Sequence, residues 1–313
     1  MNAVHEGLII ANHGYRLVIE TVDGRSIPGT SRKSLGSVVC GDHVQWQASA
    51  DGAGVVIAVH PRTAMLARPD QRGIAKPVCA NLDQIAVVGL MQPDSGVLTT
   101  SERARIDAYL AAAEMLSIDA LLIINKIDLL TPVATAHAQK KLTPYRDAGY
   151  KVILTSARSA AGMGTGMDEL RAHLAGKRSV LVGESGAGKS SLTQLLLPDR
   201  DIRIGELSTR LERGKHTTTV AMLFRLPGGG DIIDSPGVRE FHLGTVEPSA
   251  LAHAFREFRP HLGNCRYRDC RHLSEPDCAL SEAATAGQLS PERLESYRAI
   301  VLGDGRRSRH SGD

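Results

Sequence analysis

The spacing of apolar and polar positions changes rhythm twice along the chain. Short alternating runs at Gly7–Ala11, Tyr15–Thr21, Asp42–Ala48 and Gly54–His60 are separated by turns rich in Gly, Asp and Ser, and period-two alternation between such turns predicts β-strands. Strands this short and this close predict a small barrel over residues 1–69. An OB-fold is the expectation, and an SH3-like barrel is the alternative that strand counting leaves open. From Gln84 the rhythm becomes apolar strands at Gln84–Leu90, Ala120–Asn125, Tyr150–Thr155, Ser179–Val182, Val220–Leu226 and Asp231–Asp234. Between them lie helical stretches at Ser101–Leu116, Ala134–Leu142, Met167–Ala175 and Lys189–Leu197. That alternation predicts a parallel sheet covered by helices over 70–245, an α/β nucleotide-binding domain. After Pro248 come a helical segment bearing Arg and His, a cysteine cluster, and a helix at Pro291–Leu302 opened by Ser290 and Pro291. The third region, 246–313, is therefore expected to be mainly helical, with the small and charged Gly303–Asp313 as a disordered tail.

Three loops at predicted strand ends carry chemistry. Gly183-Glu184-Ser185-Gly186-Ala187-Gly188-Lys189-Ser190 matches G-x-x-x-x-G-K-S between a strand and an apolar helix that continues through Ser191, the context a phosphate loop requires. Its glycines let backbone N–H groups converge on phosphate oxygens at a helix N-terminus. Lys189 can span the β- and γ-phosphates, and the Ser190 hydroxyl can ligate Mg²⁺. Asn125-Lys126-Ile127-Asp128 closes an earlier strand. The Asp128 carboxylate can accept from both N1–H and the N2 amine of guanine, whereas adenine offers no matching donor pair, so the loop selects GTP over ATP. Lys126 can lay its stem over the base, and Asn125 can tie this loop to the phosphate loop. Thr155-Ser156-Ala157 is similar to the base-supporting loop of GTPases, with a backbone amide directed at the guanine O6.

Downstream, Asp231-Ile232-Ile233-Asp234-Ser235-Pro236-Gly237 ends a strand in D-x-x-G. Asp234 is expected to hold Mg²⁺ through water, and the Gly237 amide to meet the γ-phosphate. Gly214-Lys215-His216-Thr217-Thr218-Thr219 lies between, a polar switch segment in which either Thr218 or Thr219 closes on Mg²⁺. Val238 follows Gly237 where many GTPases carry glutamine, and an aliphatic side chain cannot orient a water. Slow intrinsic turnover is expected, raised by a partner that orders His216 over the γ-phosphate; an exposed histidine with no such role is the equal alternative. The order of these loops is unusual: the guanine-reading loop precedes the phosphate loop, a circular permutation of the ordinary GTPase order.

Cys265-x₄-Cys270-x-His272-x₅-Cys278 supplies three thiolates and one imidazole, a donor set for one closed tetrahedral Zn²⁺ site, with unligated thiols as the alternative. Arg256, Arg259, Arg266, Arg268 and Arg271 surround it, either as a reader of RNA phosphates or as a solvated basic face. Cys40 and Cys79 stand apart with no motif and are expected to be inert core residues.

Composition narrows rather than decides. At 313 residues, 42% hydrophobic and 23% charged, the chain is ordinary for a folded protein of two or three domains. Lys and Arg number 37 against 34 Asp and Glu, so any polyanion surface is a local patch. No secretory pattern opens the chain and no apolar stretch approaches about 18 residues; a cytoplasmic location is expected, and no membrane. Aromatics are 4%, which favours backbone or shape recognition of folded RNA over stacking on single strands.

With these residues in hand, the chain resembles the bacterial ribosome small subunit-dependent GTPase A family over nearly its whole length. The resemblance rests on Pro61-Arg62, Asn81-Leu82-Asp83-Gln84, the loops above, and the four metal-ligand positions with Glu275-Pro276. It implies an OB domain, a permuted GTPase domain and a zinc domain that bind the small ribosomal subunit and its 16S-type rRNA late in assembly. It also implies GTP hydrolysis to GDP stimulated by that subunit, with release of assembly factors or of the GTPase itself. Other subunit assembly factors are further expected partners, and DNA is not.

Overall fold

In the computed structural model of the chain, the described residues are 3–14, 16–50, 52–69, 75–157, 165–197, 221–234 and 246–303. They pack as two compact units. One comprises Met1–Gln84, Asp168–Val182 and Lys189–His242; the other comprises Ile85–Met167, Gly183–Gly188 and Leu243–Asp313.

The chain begins with strands β1 (Val4–Asn12), β2 (Leu17–Thr21), β3 (Ser26–Ser31), β4 (His43–Ala48) and β5 (Gly54–Val59), followed by β6 (Met65–Pro69) and β7 (Ala75–Ala80). Then come β8 (Gln84–Leu90), helix α1 (Thr100–Met115), β9 (Asp119–Asn125), α2 (Pro132–Lys141), α3 (Thr143–Asp147), β10 (Lys151–Leu154) and α4 (Met167–Leu174). The remaining elements are β11 (Arg178–Val182), α5 (Lys189–Leu196), β12 (Ala221–Arg225), β13 (Asp231–Asp234), α6 (Pro248–Ala254), α7 (Ala279–Thr285) and α8 (Pro291–Leu302).

In the first unit β1 pairs antiparallel with both β2 and β4, while β3 pairs parallel with β5. With β2–β3 and β4–β5 the ring closes in the order 1-2-3-5-4-1, an OB-type barrel rather than the SH3-like alternative. Its core is Ile9, Leu17, Ile19, Val38, Val44, Trp46 and Val56. Strand β3 is an addition to the expected strands, in a stretch where Pro28 and Gly29 interrupt the alternation. Gly29 is there for space: a β-carbon would lie 2.6 Å from Cδ1 of Ile19. The antiparallel ribbon β6–β7 likewise has no alternation to announce it. Beyond the barrel, β11 and β13 are parallel neighbours, β12 runs antiparallel to β13, and the start of β12 pairs with the end of β1.

Cys40 and Cys79, far apart in sequence, are partners in an isolated parallel bridge and both fully buried. Burial pushes the Cys79 thiol up to about 12, which removes the thiolate that reactivity needs.

The second unit has the strand order β10-β9-β8. Ile85, Ala86, Val87 and Val88 of β8 and Leu121 to Ile124 of β9 are entirely buried, the continuous apolar runs of strands covered on both faces. Helix α1 starts at the N-cap Thr99, whose side chain accepts from the Glu102 N–H. The C-terminal region packs Leu251, Phe255, Phe258, Leu280, Leu294 and Tyr297 together with Ala111 of α1. Arg293 on α8 is buried among them. Its Nη1 donates to Asp107 of α1 and its Nε to Glu257, and its guanidinium lies over the Tyr145 and Phe255 rings. No helix among the described residues is long and apolar enough to cross a membrane.

Candidate nucleotide site and metal centre

Strands β9 and β10 run parallel with Ile124 opposite Leu154. Asn125 and Thr155 therefore emerge together at the carboxyl ends of the strands, where open α/β sheets bind ligands. Asn125 is buried. Its Nδ2 donates to the Ala187 carbonyl at 2.9 Å and its Oδ1 accepts from the Thr155 hydroxyl at 3.1 Å. One amide thus joins the loops at 125–128, 155–157 and 183–188. The Ile127 N–H donates to the Thr155 carbonyl at 3.2 Å, and the Ser156 hydroxyl donates to Asp128 Oδ1. Ser156 is buried and Ala157 half-buried beside it.

Lys126 adopts φ 60° and ψ 36°, a left-handed conformation that costs a non-glycine residue about 1–2 kcal/mol. Its Cε lies 3.6 Å from where a β-carbon on Gly188 would stand, so the lysine stem runs beside the 183–188 loop. That loop has positive φ at Gly183, Gly186 and Gly188. A β-carbon at Gly183 would lie 2.1 Å from the Val88 carbonyl oxygen, and one at Gly188 2.2 Å from Asn125 Nδ2. Two of the three glycines are thus fixed by neighbours as well as by turn conformation. Glu184, Ser185 and Gly186 are exposed, Ala187 is buried, and Lys189 opens α5 as a buried residue with Ser190 and Ser191 exposed behind it.

The parallel register of β11 and β13, Val180 opposite Ile233, brings half-buried Asp234 level with Leu181, close to the end of the strand that feeds the loop. The sequence-predicted His216, Thr218, Thr219 and Gly237 lie outside the described residues, as does Val238.

A polar group that the motifs do not announce stands on α1. Glu102 is buried, accepts from the Leu90 N–H at 3.2 Å and pairs with Arg105 at 2.6 Å. Burial pushes its carboxyl up to about 7, against the pull of Arg105 and the Leu90 N–H and with the help of the nearby Glu184 carboxylate. A carboxyl raised on folding stabilises fully below its unfolded pKa, near 4.5, and loses that contribution as pH climbs toward 7 and beyond. Glu102→Gln, which keeps an acceptor without the charge, should leave the thermal midpoint unchanged at pH 4.5. At pH 8 it should raise stability by about 1–3 kcal/mol. Equal effects at both pH values would contradict this.

In the C-terminal region Cys265, Cys270, His272 and Cys278 present ligand atoms all within 4.8 Å of one another. The His272 Nδ1 stands 3.4, 3.6 and 3.4 Å from the three sulfurs in turn. Zn–S and Zn–N bonds of about 2.3 and 2.0 Å at a tetrahedral angle separate S and N by about 3.5 Å, so the donor set fits zinc. His272 and Asp277 both have positive φ, and the loop that imposes this is held by Glu275. Burial raises the Glu275 carboxyl, but the N–H groups of Arg271, Leu273 and Ser274, at 2.9, 2.8 and 3.1 Å, outweigh it and set it at about 2.

The basic face expected around this cluster is reduced. Arg256 and Arg259 both pair with Glu114 of α1, each at 2.7 Å, and so serve docking. Arg266 pairs with Asp277 at the surface, and Arg268 and Arg271 are exposed.

Residues 59–244 match the family model described as RsgA GTPase. The chain belongs to the RsgA GTPase family. It is accordingly a GTP hydrolase. A protein of Hahella chejuensis named small ribosomal subunit biogenesis GTPase RsgA is 42% identical to it over 96% of this chain and 84% of its own length. A Pseudomonas aeruginosa protein of the same name is 46% identical over 94% of this chain and 84% of its own length. Among solved structures, YjeQ from Thermotoga maritima aligns with a TM-score of 0.73 at 28% identity, covering 96% of this chain and 98% of that one. YloQ, described as a circularly permuted GTPase, aligns with a TM-score of 0.71 at 26% identity, covering 98% of each. The RsgA-family fold here is thus an N-terminal OB-type barrel, a circularly permuted GTPase domain and a C-terminal helical region carrying a Cys₃His cluster.

Proposed function

We propose that this GTPase acts on the small ribosomal subunit during late maturation, hydrolysing GTP to GDP and phosphate slowly by itself and faster when the subunit stimulates it. The observation that carries the nucleotide half is the Asn125 amide joining the base loop to the phosphate loop. The names of its relatives support the ribosomal half. On this reading residues 1–69 form the OB domain, 70–245 the GTPase domain and 246–313 the zinc domain, in the cytoplasm. Its partners are the small subunit with its 16S-type rRNA and other assembly factors.

Asp128 reads the guanine edge, steadied by Ser156, while Lys126 covers the base. Backbone N–H groups of 183–188 and the Lys189 ammonium neutralise phosphate charge, so catalysis rests on positioning and electrostatics rather than covalent chemistry. Ser190 and Asp234 offer hard oxygen donors that suit Mg²⁺, which, when bound, draws charge from the β- and γ-phosphate oxygens. His216, Thr218 or Thr219, and Gly237 complete the γ-phosphate side.

GTP turnover measured alone, with purified small subunits and with large subunits tests the reading. Stimulation by the small subunit alone is expected; stimulation by neither overturns it. The structural metal has its own test. Protein purified without chelator should carry one zinc per chain, released by Cys278→Ser with a loss of several kcal/mol of stability. Full-length protein that is folded and zinc-free would refute the assignment.

A further inference from the structure

Helix α1 turns a polar stripe toward the start of the phosphate loop. Glu102, Arg105 and Tyr109 follow at i, i+3 and i+7, one face of a helix. Two of them hold backbone segments, and the third joins two carboxylates. Glu102 accepts from the Leu90 N–H at the end of β8. The Tyr109 hydroxyl is hydrogen-bonded to the backbone of Gly183. Arg105 Nη1 bridges the two carboxylates, 2.6 Å from Glu102 Oε2 and 2.8 Å from Glu184 Oε2. Glu102 is almost wholly buried, whereas the Glu184 side chain is 51% exposed. The guanidinium therefore ties an exposed loop residue to a fixed point in the helix. Without it, two carboxylates would face each other at the loop entry.

We propose that Arg105 is a positioning residue for the nucleotide, fixing Glu184 and with it the register in which the 183–188 backbone amides meet the phosphates. Nothing in the G-x-x-x-x-G-K-S pattern marks either residue, since position 184 is a free position of the motif. Arg105 touches no phosphate in this role; it acts through Glu184. GDP and GTP both use the loop, so both should feel its loss; once nucleotide is bound its own phosphates hold the amides in register, so the loss falls on binding and the saturated rate is kept.

The proposal rests on 183–190 being the phosphate site, and Lys189→Ala tests that separately: undiminished GTP binding by it would remove the premise. For Arg105, affinities for GDP and GTP are measured by fluorescent-nucleotide titration on the full chain, beside single-turnover rates at saturating GTP. Arg105→Ala should weaken both nucleotides by about five- to tenfold, leave the saturated rate within about twofold, and be largely rescued by Arg105→Lys. In a Glu184→Ala background, Arg105→Ala should add less than about twofold. Should Arg105→Ala fail to fold, Glu184→Ala alone carries the test and should show the same loss. Affinity unchanged in either single variant, or a full Arg105 effect with Glu184 already removed, overturns the proposal.

Discussion

Asp128→Asn should lower GTP affinity at least about 100-fold and shift preference toward xanthosine triphosphate. The carboxylate can accept from two guanine donors, N1–H and the N2 amine, and an asparagine amide can match only one of them while setting its own NH₂ against the other. Xanthine carries a carbonyl in place of that amine and pairs with the new donor. The substitution is clean because Ser156 Oγ donates to Asp128 Oδ1, a role an amide oxygen can keep. The buried Asn125 clamp is untouched. Competition of GTP, GDP and XTP against a fluorescent guanine nucleotide measures it; GTP affinity within tenfold of the parent would mean that Asp128 does not read the base.

Arg293→Ala should cost about 3–5 kcal/mol, among the largest losses available to a single side chain outside the nucleotide loops. Arg293 and Asp107 are 2% and 0% exposed, so truncation strands a carboxylate in the core that joins α1 to the C-terminal helices. Glu257 loses its partner in the same event. Burial already raises the Asp107 carboxyl, and Arg293 is the main influence lowering it. With the guanidinium gone, Asp107 takes up a proton on folding, so the variant's deficit should widen as pH rises and narrow as it falls. Urea denaturation at pH 5 and pH 8 reads both effects. Arg293→Met combined with Asp107→Leu should recover much of the loss; a deficit below 1 kcal/mol in the single variant would refute the buried network.

The loops at 125–128 and 183–190 were legible as loops because each is a short contiguous pattern whose geometry is local: glycines at positive φ, an acid after a strand end, a lysine opening a helix. Helices and parallel strands were legible for the same reason, through periodicity. Gln84–Leu90 and Pro291–Leu302 fall where the pattern put them. Strand β3 was hidden by Pro28 and Gly29, and the glycine is explained only by the packing of Ile19 against its position. The arginines of the C-terminal region were legible as charge but not as contacts. Arg256 and Arg259 meet Glu114 across more than 140 residues, and no spacing rule reports a pair so distant. Glu102 and Arg105 were invisible for a different reason: i,i+3 acid–base pairs decorate solvent-facing helices routinely, and only the burial of Glu102 and the approach of Glu184 set this one apart.

The Asn125 clamp spans 62 residues and runs from an earlier segment to a later one. On a translating ribosome that adds roughly 5–20 residues per second, the loop at 125–128, proposed to read guanine, emerges roughly 3–12 s before the carbonyl that completes its support. The permuted order therefore imposes a timetable: a nascent chain holds the half of the site proposed to recognise the base well before the half proposed to grip a phosphate. On the proposed reading, nucleotide capture must wait for synthesis to pass Ser190.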